Sequence, residues 1–515
     1  MQVLSVKHGW GGTPAMRRGW VLGFTLYVAF FALTISLRWG QLGQPYGEFQ
    51  WITAHSQIIV DNWLENGFWN ERGISFWNPP SIEFPSLVSR HPYISYPCGA
   101  QLPIFVLVKV LGWNVTPGFF HIWGLVWHSL IGLLLICGLW IFDPDGKEPE
   151  RSLGAFLPGF LWLGAHGPLT FFPTMWYADI VVLLPFVLVG LAEVIMAHAL
   201  LPERHRRWIT WSLPVLIFWG MYTDWLLFLL LCAMILLYRL LRRRDIRATS
   251  SAFLWQIALP AALALTLFFL QLFWVLGPHF VPALLERFLV RSMDTTAAFH
   301  GHSMLWHVYG YFLADVGGLT IALTVLALVL LCIRPRIVSS PLKDFLVLLF
   351  APSVVLLLIF RQHAAVHSFT IVKFMIPIFV VLGSILPRAL VLPHKQRVFA
   401  LLCSVFFLYE GWRYLISVGV PVDRQALAWE EAVRRRFGYH DVLFTPEPIF
   451  EIPEVPPQQL ARSRKRIYQY DAERVAQLQR TLSEARIFLI GTAGAIDARC
   501  PEKQTLSPSL YYCRL

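Results

Sequence analysis

Charge is what this sequence has least of. Acidic and basic residues make up 14% of its 515 positions, against about a quarter in soluble domains, so a single water-soluble globule is excluded. No alternating pattern of the membrane-barrel kind replaces the missing charge. No cleavable signal is expected either. The opening "MRRGWVLGFTLYVAFFALTISLRW" starts basic, then runs too long and has no small-residue cleavage site. There is no CxxC pair, no histidine-rich metal motif, and no internal repeat of the sort that marks inverted-repeat transporters.

What is present is apolar. Hydrophobic residues make up 56% of the chain, mean hydropathy is +0.56, and membrane-length runs recur from residue 19 to about residue 418. The chain reads as an all-α polytopic membrane protein with about 11–13 transmembrane helices. Its first helix is expected to be retained, with the N-terminus in the cytoplasm. The net charge of +11 sits beside apolar ends, where the positive-inside rule and acidic headgroups account for it, so no nucleic-acid partner is expected.

Basic clusters set the expected topology. "PERHRRW" (202–208), "RLLRRRDIR" (239–247), "RPR" (334–336) and "PHKQR" (393–397) belong in the cytoplasm. Between the first two the chain must make a tight hairpin whose apex, "MYTDW", puts Asp224 outside. The same logic places Asp179 in "FPTMWYAD", a loop at 279–307 and the turn "RQHAAVHSF" (361–369) outside. Residues 100–112 and 118–142 do not both fit as crossings; one is expected to be kinked, re-entrant or interfacial. The division predicted is 1–420 for the membrane domain, with 38–99 as a first outer loop carrying juxtamembrane helices. Residues 421–515 form a small extracytoplasmic α/β lobe. Cys500 and Cys513, in that lobe, are able to pair if it lies outside the cytoplasm.

This topology gathers acids, histidines and arginines on one membrane face. The segment 46–73, "YGEFQWITAHSQIIVDNWLENGFWNERG", predicts an amphipathic helix along the outer surface. Phe49, Ile52, Ile59 and Trp63 lie on one side, with Glu48, His55 and Asn62 nearer the other. Such a helix would hold Glu48 at the lipid–water boundary, aimed at a lipid-borne substrate.

The layout resembles the GT-C superfamily of membrane glycosyltransferases over roughly residues 15–420. The phrases that carry it are "GEFQWITAHSQIIVDNWLENG", "RHPYISYPCGAQLPIF" and "FPTMWYADIVVLLPF". Two more, "GMYTDWLLFLLL" and "HAAVHSFTIVKFMIPIF", are similar to turns in glycosyltransferase-39-like and Rgt-like members. The family's paired acids stand here as Gly47-Glu48, and its Pro-Pro-Gly phrase as "YPCG". The resemblance implies an inverting transfer of a sugar from a polyprenyl-phosphate donor to a hydroxyl of a glycan, lipid or protein acceptor. The setting implied is the outer face of a membrane, with a bacterial inner membrane preferred. A transporter or flippase for lipid-linked saccharides is the alternative.

Inverting transfer needs one base on the acceptor hydroxyl and cationic or hydrogen-bonding help for the departing phosphate. By resemblance Glu48 is the base, with Asp61 as understudy. Asp179 and Asp224 read either as substrate-positioning acids or as helix caps. Arg90, His91, Arg361, His363 and His367 read as phosphate contacts or headgroup anchors, with His367 a weak cation or hydrogen-bond donor. Tyr96 reads as substrate-orienting or as part of the aromatic belt. Lys109 and Lys373 read as snorkelling side chains. No metal ligands are assigned, although the chemistry leaves room for a divalent cation.

Overall fold

The computed structural model describes residues 14–44, 49–80, 91–142, 149–242, 246–292, 304–389, 395–417, 424–446, 461–497, 499–500 and 502–515. The apolar runs become helices because only a helix satisfies its own backbone amides in lipid. Helix α1 (Pro14–Arg38) is followed by α2 (Gln50–Asn66), α3 (Leu102–Leu111), α4 (Pro117–Phe142), α5 (Pro149–Gly164) and α6 (His166–Thr174). Then come α7 (Ala178–Val181), α8 (Leu183–Ala197), α9 (Glu203–Met221), α10 (Trp225–Arg242), α11 (Ile246–Phe253), α12 (Leu259–Leu276) and α13 (Phe280–Ser292). The series closes with α14 (Met304–Tyr311), α15 (Gly318–Ile333), α16 (Ser340–Ile359), α17 (Arg361–Val366), α18 (Val372–Ala389) and α19 (Lys395–Ser417).

Among the described residues, seven helical stretches are long and apolar enough to cross a bilayer, or eight if α14 and α15, bent by 98° at Gly317, count as one. The chain is an integral membrane protein. Several other apolar runs behind the expected 11–13 crossings form helices that are short, Pro-interrupted or charged at one end and so fall outside this length-and-hydropathy count. Helix α3 has ten residues and rises about 15 Å, half a bilayer core. It is the piece of residues 97–142 that does not span. Pro158 and Pro173 interrupt the amide ladders of α5 and α6, and α9 opens on "ERHRRW". The expected 222–224 apex between α9 and α10 is present. Much of the expected 279–307 loop is instead helix α13.

Helix α5 packs on α1, α4 and α18 at the centre of the bundle. Close approach depends on glycine. A Cβ at Gly124 of α4 would fall 1.8 Å from the Phe172 carbonyl oxygen of α6, so any side chain there would drive these helices apart.

Beyond the bundle lies a small α/β lobe: α20 (Arg424–Arg436), β1 (Asp441–Thr445), β2 (Ile467–Gln469), α21 (Ala472–Thr481), β3 (Arg486–Gly491), α22 (Ala493–Ile496), β4 (Gln504–Ser507) and β5 (Leu510–Arg514). The sheet order is β2-β1-β3-β5-β4. The first three strands are parallel, β5 runs antiparallel to β3 and β4, and β4 is an edge. Cys500 and Cys513 are disulfide-linked, with Cα atoms 5.7 Å apart.

The position of α2 corrects the expected wet-sided surface helix. Ile52, Ile59, Val60 and Trp63 pack into the bundle. Ala54 and Ile58, on the other side, enter the lobe's core beside Val433, Phe437, Leu443 and Ile490. His55 and Asn62 are buried as well. A single amphipathic pattern shows one apolar face; it does not show that a second domain will cover the rest.

Candidate active site

Three helix beginnings meet at one end of the bundle. Asp179 is in the first turn of α7, Asp224 precedes α10, and Lys373 is the second residue of α18. All three side chains are buried, none more than 2% exposed. Lys373 Nζ lies 2.7 Å from Asp179 Oδ1 and 2.7 Å from Asp224 Oδ2. It donates a well-directed hydrogen bond to Asp224. At Asp179 the ammonium makes a close ion pair to Oδ1, and among the described residues Oδ2 receives no hydrogen bond. Asp224 also caps its helix: Oδ1 accepts from the Leu227 N–H at 3.2 Å. Asp224 therefore serves as both cap and ion partner, whereas Asp179 caps nothing. Two carboxylates share one ammonium in a medium where charge is poorly screened.

Tyrosines and cations surround this triad. Tyr96 is buried between Tyr93 and Tyr177, its ring 6.0 Å from that of Tyr177. Burial, then the Asp179 carboxylate, pushes its hydroxyl well above the usual tyrosine value. The Arg291 guanidinium, from the last turn of α13, sits 5.0 Å from the Tyr96 ring centroid, and its Nη2 donates to the Tyr93 hydroxyl at 3.3 Å. Gly99 makes this packing possible. Its N–H donates to the Tyr222 carbonyl at 2.8 Å, and a Cβ would lie 2.2 Å from that oxygen. The phrase "YPCG" is thus fastened to the α9–α10 apex that carries Asp224.

On the other flank, the His363 and His367 rings lie 4.7 Å apart, and His367 stacks on Phe369 at 5.0 Å. Burial first, then Arg291, holds His363 well below the ordinary histidine value. Burial also lowers His367, with Asp179 opposing. Both shifts favour the neutral imidazole, which donates through one ring nitrogen and accepts through the other. His55 of α2 stacks on Trp77 at 4.5 Å, and Trp77 on Tyr93 at 4.9 Å. Burial pulls His55 down to about 3.

Among the described residues, four buried polar atoms here lack hydrogen-bond partners: Asp179 Oδ2, His55 Nδ1, Trp77 Nε1 and His363 Nε2. Each such group costs about 1–3 kcal/mol. Their grouping at one end of the bundle fits a site that a substrate completes.

The remaining sequence candidates divide. Glu48 and Arg90 lie outside the described residues. Phe49, next to Glu48, packs at 5.3 Å on Phe171 and 5.9 Å on Phe369, beside the histidines. His91 is exposed with φ +55°, its carbonyl accepting from Trp77 N–H at 3.2 Å. Arg361 is exposed and donates through Nε to the Ser292 carbonyl at 3.4 Å. Asp61 faces the lobe, 3.9 Å from Arg464, which also donates to Asn62 at 3.2 Å and Glu65 at 2.6 Å. Burial raises Asp61 to about 6, with Arg464 opposing.

Lys373, read as a snorkelling residue, and Arg291, left among loop charges, are central. A lone lysine inside an apolar run was the available signal, since ionisable residues within membrane segments are by default functional or paired. A divalent ion does not fit the described residues. Lys373 already bridges the two acids, and no group of three or more His, Cys, Asp or Glu is placed to hold a metal.

No protein-family model matches the chain, nor does any curated protein sequence. Solved structures do. ArnT from Cupriavidus metallidurans bound to undecaprenyl phosphate superposes with TM-score 0.58 at 11% identity, covering 96% of this chain and 98% of that one. The same protein in its apo state gives 0.59 at 12%, covering 97% and 98%. The Archaeoglobus fulgidus oligosaccharyltransferase in its apo form gives 0.54 at 10%, covering 91% of this chain and 69% of that one. The chain therefore shares the fold of these structures over nearly its whole length.

Proposed function

We propose that this protein is an inverting glycosyltransferase that moves a sugar from a polyprenyl-phosphate donor to an acceptor hydroxyl on the extracytoplasmic face of a membrane. The observation that carries the reading is the buried Asp179–Lys373–Asp224 triad. It lies beside Arg291, Tyr96 and the His363–His367 pair in a fold shared with a protein solved bound to undecaprenyl phosphate. Sidedness rests on the basic clusters and on the Cys500–Cys513 disulfide, which belongs to an oxidising compartment.

Glu48, two positions before α2 in the sequence, is the base: it takes the acceptor proton as that oxygen attacks the anomeric carbon. The C–O bond to phosphate breaks on the opposite face, and polyprenyl phosphate leaves carrying the electron pair, so no strong general acid is needed. Arg291 supplies the positive charge that the leaving phosphate requires. His363 and His367 donate as neutral imidazoles. Asp179 Oδ2 accepts a sugar or acceptor hydroxyl, and Lys373 holds both acids in place. Asp61, tied to Arg464, is the weaker candidate base.

The test compares lipid-linked sugars and surface glycans by mass spectrometry in cells carrying the wild-type or Glu48→Gln gene. The expected result is donor accumulation and loss of one glycan modification in the variant. Normal glycans with Glu48→Gln would remove that base. Movement of intact lipid-linked saccharide across the membrane with no new glycosidic bond would favour a flippase.

A further inference from the structure

The lobe carries a groove that the reaction at the triad leaves unused. It lies between α20 and the edge strand β4, holds about 660 Å³, and is lined by Glu431, Arg435, Arg436, Gln504, Thr505 and Tyr512, with Leu506 and two alanines completing it. That volume falls within the range of ligand pockets, about 300–1,000 Å³. Its shape follows from sequence. Ala428 and Ala432, one turn apart on α20, leave space where larger residues would fill the cleft. Consecutive strand residues point to opposite faces, so three neighbours lining one cavity means that the edge of β4 faces it.

The polar groups are placed as a receptor for negative charge and hydroxyls. Arg436 Nε donates to the Tyr512 hydroxyl at 2.7 Å, and that hydroxyl donates to Gln504. The guanidinium lies 5.2 Å from the Tyr512 ring centroid. Arg435 Nε donates to Glu431 at 2.8 Å. Each arginine is held through Nε, and among the described residues its Nη groups make no hydrogen bond, which suits them to a carboxylate or phosphate. Glu431 and Gln504 add acceptors and Thr505 a hydroxyl, the mixture that sugar hydroxyls require.

We propose that the α20–β4 groove binds an acidic oligosaccharide, the anionic stretch of the acceptor glycan, and delivers it to the enzyme. The inference rests on the glycosyltransferase reading for its purpose, but the binding does not depend on catalysis.

The probe is tetragalacturonate, titrated calorimetrically into the full-length protein in neutral-lipid nanodiscs, with the Glu48→Gln variant measured alongside. Saturable binding equal in wild type and Glu48→Gln is expected. Arg435→Gln with Arg436→Gln should weaken it about tenfold or more, as loss of charge-assisted hydrogen bonds implies. Ala432→Trp, which fills the groove and keeps its charges, should do the same. Arg435→Gln alone, on an exposed side chain, guards against misfolding of the double variant and should give a smaller loss. Maltotetraose should bind at least about tenfold more weakly than tetragalacturonate. Absence of tetragalacturonate binding, or binding untouched by Ala432→Trp, overturns the proposal. So does equal binding of tetraglutamate, which would make the groove a peptide site. Phosphatidylglycerol vesicles that bind through the arginines when the saccharide does not would make it a headgroup contact, which also overturns it. Failure of glycosyl transfer with binding intact would count only against the enzyme reading.

Discussion

Lys373 is the residue on which the site's electrostatics turn. Removing one partner of a buried ion pair typically costs about 3–5 kcal/mol, because the other charge stays buried and alone. Lys373→Met strands two acids, so its thermal midpoint in detergent should fall sharply and transfer should cease. Adding Asp179→Asn and Asp224→Asn to that variant should restore most of the midpoint but none of the activity. Recovery of activity in the triple variant would show the triad to be scaffolding alone. Asp61 offers a second test, through pH. Its carboxyl titrates at about 6 in the fold, raised from 3.8. Between those values the folded state holds more protons than the unfolded chain, so its contribution to stability falls as pH rises through that window. Asp61→Asn should therefore gain stability relative to wild type at pH 7 and lose that advantage below about pH 4, as thermal melts across pH would show.

At the scale of elements, legibility followed periodicity and charge. The α9–α10 hairpin and its Asp224 apex were readable because basic clusters on both sides forced a return within a fixed length. Helix α2 was readable as a helix but not as a buried one, since its second burial partner lies about 400 residues away in the chain. The Lys373 contacts were unreadable for the same reason: they join α18 to helices roughly 150 to 200 residues earlier. The fastening of Gly99 to Tyr222 is another such contact, and it yields a test. Gly99→Ala places a Cβ 2.2 Å from a backbone oxygen, and overpacking of this kind costs about 1–3 kcal/mol. Because it shifts the Tyr96 loop against the Asp224 apex, activity should drop further than the melting temperature alone explains, with kcat falling more than KM rises.

For the whole molecule, the bundle and the C-terminal lobe are joined through α2. The disulfide gives a measurable consequence: closing a short loop of 13 residues contributes about 3 kcal/mol. Cys500→Ser with Cys513→Ser should lower the lobe's protease resistance while leaving the bundle's helical content unchanged by circular dichroism. Thiol counting under denaturing conditions should find five free cysteines in the wild-type protein.

The pocket in which Ala54 and Ile58 sit is built from Val433, Phe437, Leu443, Ile467, Ile490 and Leu510, all from the last hundred residues. Cut free as a fragment, that portion would carry an open greasy socket with nothing to plug it. It should clump in water unless a peptide spanning Gln50–Asn66 is supplied to fill the gap.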